Sequence, residues 1–194
     1  MTRFTLSPTF RRRALTLLAV ALVALMGFTT GAWAADYLGS GKHPSRFLNW
    51  NYFGVTSANG SYIDRATTAM ANWTNTTDLV LTKVSGSNWD VAFVTDNYGS
   101  VSWAGLAVCY NSSGQNWLNN SAVFNQTLAY CYAYNNRYYM DSSSSSQRIN
   151  LFMHESGHCY SLAHRNTTSS IMYPYVQSLT TTNSTDRSLI NARY

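Results

Sequence analysis

"HESGHCYSLAH" (residues 154–164), followed closely by "SIMYPY" (170–175), decides how this chain is read. His154 and His158 stand four residues apart. On a helix that spacing stacks two imidazoles one turn apart on the same face. Two nitrogens so placed suit one zinc ion at about 2.0–2.1 Å. Glu155, beside the first histidine, can reach water at such an ion without ligating it. His164 lies six residues beyond His158, off that face of a straight helix. It can join only if the chain turns near Ser161 or Leu162. Of the four histidines in 194 residues, three lie in this string, and Glu155 is the only glutamate, so the clustering is not a by-product of composition. The competing interpretation is a helix whose histidines are satisfied by hydrogen bonds in the core, because a bare H-E-x-x-H does occur by chance.

Upstream, "QRINLFMHESGHCYSL" (147–162) can bury Ile149, Phe152, Met153, Cys159 and Tyr160 along one long helix. A late serine of "SSSSS" (142–146) serves as its N-cap. "RFLNWNYFG" (46–54) alternates bulky and polar residues as a strand does. "YIDRATTAMANWTN" (62–75) spaces Ile63, Ala66, Met70 and Trp73 by threes and fours, an amphipathic helix. "LVLTKV" (79–84), "WDVAFVT" (89–95) and "SWAGLAVCY" (102–110) read as further strands, with Gly105 at a bulge, and "SAVFN" (121–125) as a fifth. "TTNSTDRSLINARY" (181–194) is a capped terminal helix with Asp186 in its first turn and Leu189 and Ile190 inward. This order of strands and helices implies one α+β domain.

The N-terminus reads differently. "MTRFTLSPTFRRR" is a basic leader, "ALTLLAVALVALMGF" an apolar run short for a membrane span, and "AWA" a small-residue exit. Residues 1–34 are therefore expected to be a signal peptide, leaving 35–194 as a secreted, extracellular domain with no stable membrane insertion. Four of the thirteen basic residues leave with the leader, so nine face eight acids, a net charge of +1. That balance offers no basic patch for nucleic acid. Export implies an oxidising destination. Of the three cysteines, Cys109 and Cys131 are the preferred disulfide, which would contribute about 3 kcal/mol by restricting the unfolded chain. Cys159 is read as a small buried residue, and the sharper alternative makes it a fourth zinc ligand.

The quoted strings resemble the metzincin zinc peptidases, whose pattern is H-E-x-x-H-x-x-G-x-x-H with a later Met-turn. Within them the resemblance is to the matrixins, including small secreted bacterial ones. Gly157 precedes the second histidine as it often does there, and Met172-Tyr173-Pro174 matches their Met-turn. The resemblance implies a metzincin-like catalytic domain: a twisted, mostly parallel sheet with an antiparallel edge strand, a long active-site helix, a Met-turn and a C-terminal helix. It implies that His154, His158 and His164 bind one catalytic Zn²⁺, that Glu155 is general base to a zinc-activated water, and that Met172 lies beneath the ligands. It also implies peptide or protein substrates, met along the edge strand at Leu106 and Ala107, with Pro174 and Tyr175 walling the pocket beyond the cleaved bond. A monomer is expected. A non-catalytic, zinc-containing binding module is the rival class.

Three departures bear on this. Ser161 stands where the family has glycine, and a serine held in a left-handed conformation costs roughly 1 kcal/mol. No cysteine-bearing prosegment is visible after the leader. His43 is the only other histidine, so a second, structural zinc is not expected, and seven scattered aspartates leave calcium open.

Overall fold

The computed structural model describes residues 36–54 and 61–194. The expected leader, 1–34, and Ala35 lie outside the described residues. Among the described residues five strands form one sheet. β1 (Phe47–Gly54) pairs in parallel with β2 (Val80–Lys83) and β3 (Val91–Asp96). β5 (Tyr130–Asn136) is parallel to β3, and β4 (Gly105–Tyr110) closes the edge antiparallel to β5, giving the order β2-β1-β3-β5-β4. The mostly parallel sheet with an antiparallel edge strand is the expected one.

Strand alternation sets the two faces. Leu48, Trp50, Val91, Phe93, Cys131 and Ala133 are all buried in the core. Against them packs α1 (Ser61–Thr76), through Tyr62, Ala66, Ala69, Met70 and Trp73, with Ile63 only half-buried at the margin. A short helix, α2 (Arg137–Met140), follows β5. Next comes α3 (Ser145–Cys159), buried continuously from Ile149 onward. Ser144 caps it in a reciprocal capping box with Gln147, satisfying two otherwise orphaned donors. Trp73 locks α1 to α3: its indole N–H donates to the Met153 carbonyl at 3.2 Å and to Ser156 Oγ at 3.1 Å. The terminal helix, α4 (Ser184–Arg193), is capped by Asn183 and buries Ile190.

Two expectations are corrected. "SAVFN" is a 3₁₀ helix, Ser121–Asn125, started by Asn120, whose side chain accepts from the Ala122 N–H. A short run flanked by asparagines caps more readily than it pairs. Gly105 is not a bulge but pairs in regular register with Asn135. The strand β5 goes unforeseen because its alternation sets tyrosine against cysteine and alanine, a contrast of size that hardly registers as one of polarity. Among the described residues no helix is long and apolar enough to cross a membrane.

Candidate metal centre

The last two turns of α3 carry His154 and His158, and the chain then reverses. Tyr160 leaves the helix, and Ser161 takes φ +72°, the left-handed region that glycine fills most easily. This turn, between Cys159 and Leu162, brings His164 back over the helix. The strain is offset locally. Ser161 is buried, its hydroxyl donates to the Gly41 carbonyl at 2.6 Å, and its own carbonyl accepts from the Leu38 N–H at 2.9 Å. Glycine could supply the conformation but not the hydroxyl bond.

The three imidazoles converge. Nε2 of His154 lies 3.2 Å from Nε2 of His158 and 3.1 Å from that of His164, and the remaining edge is 3.1 Å. Tetrahedral bonds of about 2.0–2.1 Å would set such nitrogens about 3.3–3.4 Å apart, so the triangle fits zinc with minimal adjustment. On His154 and His158 the other ring nitrogen is committed. His154 Nδ1 lies 2.9 Å from the Ile171 carbonyl and His158 Nδ1 2.8 Å from the Leu162 carbonyl. As donors there, both rings leave Nε2 as the free lone pair, the tautomer a metal needs. Burial first, then the neighbouring His164, holds His154 down to about 3, and the same causes hold His158 well below its ordinary value. Both are therefore neutral at pH 7.

Glu155 points to the sheet edge. Burial pushes its carboxyl up to about 8, against the opposing effect of a backbone hydrogen bond from Ala107. Its carboxylate occupies the space a side chain at residue 105 would need: a Cβ there would come within 2.6 Å of Glu155 Cδ. Gly157 plays the corresponding part on the opposite side. A Cβ on it would meet the Met172 sulfur, which packs against this bare stretch of helix. Met172 is fully buried under the histidine-bearing turn.

Behind the Met-turn stands Asp186, fully buried at the start of α4. It accepts from Ser170 Oγ at 2.6 Å and from the Ile171 N–H at 2.9 Å. Ile171 thus joins Asp186, through its N–H, to His154, through its carbonyl.

The family model for matrixin, peptidase family M10, matches residues 48–194. The chain belongs to the matrixin family. This matrixin also shares its fold with the solved structure titled "Structure of Myroilysin", at a TM-score of 0.53 and 14% identity, covering 82% of this chain and 84% of that one. Among curated protein sequences none matches this chain. Family and fold agree with the α+β metzincin catalytic domain and make the protein a zinc metallopeptidase in kind.

Of the residues named from sequence, the structure gathers His154, His158, His164, Glu155 and Met172 into one site. Leu106 and Ala107 lie on the edge strand β4, with the Ala107 backbone bonded to Glu155 and Leu106 only half-buried. Pro174 is exposed, and Tyr175 is 72% exposed with its ring 5.6 Å from that of Tyr173, so neither is packed into a formed wall. The segment just after them is held instead by Asn150, one turn before His154. Its side chain accepts from the Gln177 N–H at 2.9 Å and donates to the Leu179 carbonyl at 2.8 Å. Sequence alone pointed to neither Asn150 nor the roles of Gly105 and Asp186 at the site. An asparagine in line with two histidines at intervals of four was the one available signal. Cys159 is no fourth ligand: its Sγ lies with those of Cys109 and Cys131.

Proposed function

We propose that this matrixin is a secreted endopeptidase in which His154, His158 and His164 hold the catalytic zinc and Glu155 is the general base. The carrying observation is the Nε2 triangle of 3.1–3.2 Å with both buried rings fixed as neutral ligands through Nδ1. Held by the neutral imidazoles of His154, His158 and His164, a zinc ion would supply Lewis-acid polarisation of water and of the scissile carbonyl. Pinned by the Ala107 N–H and held ionised by the charge of the zinc beside it, against the upward pull of burial, Glu155 would take a proton from the attacking water and deliver it to the leaving amine. The substrate is a peptide lying extended along β4, where an edge strand can add another by backbone hydrogen bonds.

Cleavage of unfolded casein, with and without a zinc chelator and after zinc is restored, tests this. The expected result is activity that disappears and returns with the metal, and that falls by at least about a hundredfold in Glu155→Gln with zinc still bound. Zinc-loaded, folded protein that leaves casein and varied peptides intact would favour the non-catalytic module. Export is tested separately, by N-terminal sequencing of protein recovered from the medium, with Ala35 expected first.

A further inference from the structure

All three cysteines meet at one buried point between the sheet and the end of α3, each with 0% exposure. Their sulfurs lie within 4.8 Å of one another, and Cys131 is within bonding reach of both Cys109 and Cys159. One sulfur can hold only one of these bonds.

We propose that the protein carries a cystine between Cys131 and Cys159, with Cys109 as a buried, reduced third thiol. Backbone geometry separates the two pairings. Cys109 and Cys131 are direct cross-strand partners with Cα atoms 3.9 Å apart, closer than the usual cystine span of about 4.4–6.8 Å. Cys131 and Cys159 are 5.6 Å apart, at the commonest spacing. The consequences differ as well. A Cys109–Cys131 bond would join two strands already paired by the β4–β5 ladder. A Cys131–Cys159 bond joins an interior strand to the last residue of α3, next to His158, where a helix otherwise frays. It fixes the helix end from which the chain turns through Ser161 to His164.

Forming the bond takes one hydrogen from each thiol. Two protons and two electrons pass to an external disulfide such as glutathione disulfide, which becomes two thiols. Cys109 is also placed to attack Cys131, releasing Cys159 as the thiol. That exchange consumes no oxidant, and the backbone spacing holds it toward Cys131–Cys159.

The test is to refold the full protein in a glutathione redox buffer, denature it in N-ethylmaleimide without reductant, and map its peptides by mass spectrometry. The expected product is a Cys131–Cys159 linked peptide with the maleimide on Cys109. A Cys109–Cys131 link with maleimide on Cys159 overturns the proposal. So does maleimide on all three cysteines with two zinc ions per chain, which would mark a thiolate metal site. Two variants add an independent readout. Cys109→Ser should keep the link and melt several degrees lower after reduction, as the wild type does. Cys159→Ser should leave both remaining thiols free to alkylate. If it instead forms a Cys109–Cys131 bond with wild-type melting and the same response to reductant, Cys159 has no part in the native cross-link.

Discussion

Glu155 lies where it does because residue 105 has no side chain. Gly105→Ala would set a methyl against the Glu155 side chain, closest to its carboxyl, so the carboxyl must rotate away. The expected result is a fall in kcat of more than about tenfold, since general base catalysis depends on hydrogen-bond reach, with zinc content unchanged. Full activity in a folded Gly105→Ala protein would remove Glu155 from its assigned position. Ser161 makes the second residue-scale case. Sequence identified the departure from glycine and its strain, but the compensating bond to Gly41, 120 residues away in sequence, needed the fold. Ser161→Ala keeps the φ of +72° and loses the hydroxyl bond, so it should destabilise by about 1–2 kcal/mol. Ser161→Gly loses the bond and relieves the strain, which brings the net change to within about 1 kcal/mol. Urea unfolding compares the two variants with wild type: an alanine variant as stable as wild type would show that the hydroxyl contributes nothing, and one as stable as the glycine variant that the left-handed strain is negligible.

Among the elements, α3 was legible because its signals are dense: a capping serine, apolar residues at helical intervals and two histidines one turn apart. α1 and α4 were legible for similar reasons. β5 was not, since Tyr130, Tyr132 and Tyr134 alternate with small residues and tyrosine counts as both apolar and polar. With β5 missed, the edge position of β4 rested on family resemblance alone. Tertiary partners were equally hidden, and Asp186 shows why. Its position in the first turn of α4 predicts a helix cap, and it does serve one, accepting from the Asn183 N–H. Its bonds to Ser170 and Ile171 exist only once α4 docks on the Met-turn. Asp186→Ala would leave two buried donors unpaired and let the Ile171 carbonyl drift from His154. A loss of about 3–5 kcal/mol is expected, together with a fall in zinc affinity of at least about tenfold, the usual effect of disturbing a ligand's hydrogen-bond partner. Competition against a fluorescent chelator measures the second effect. An unstable variant with wild-type zinc affinity would confine Asp186 to the fold.

At the scale of the described domain, the segment 36–43 ties separate elements together. Ala163 donates to the Asp36 carbonyl at 3.1 Å, Gly41 to the Phe124 carbonyl at 2.7 Å, and Leu128 to the Lys42 carbonyl at 3.0 Å. Tyr37 reaches α4 through its hydroxyl bond to the Leu189 carbonyl at 2.8 Å. At the end of this strap His43 is fully buried, and neither ring nitrogen has a hydrogen-bond partner among the described residues. Its main-chain N–H faces the Tyr194 hydroxyl, and the charge of Asp90 acts on the ring. Burial lowers its pKa from 6.5 to about 4, more than Asp90 raises it. The unfolded chain therefore binds a proton between those values that the folded chain refuses, so stability falls as pH drops from about 6.5 toward 4. The full shift corresponds to about 3 kcal/mol lost from this one group, complete only below about pH 4. The other histidines and the carboxylates also titrate, so the effect is read as a difference between wild type and His43→Leu in urea unfolding at pH 7 and at pH 4.5, both zinc-saturated. Leucine fills a similar volume without an unpaired polar atom and should be at least as stable at pH 7. Its advantage should then widen on acidification by about 2–3 kcal/mol. If the two proteins lose stability in parallel, His43 is already satisfied or already protonated in the native state, and the strap has a polar partner for it.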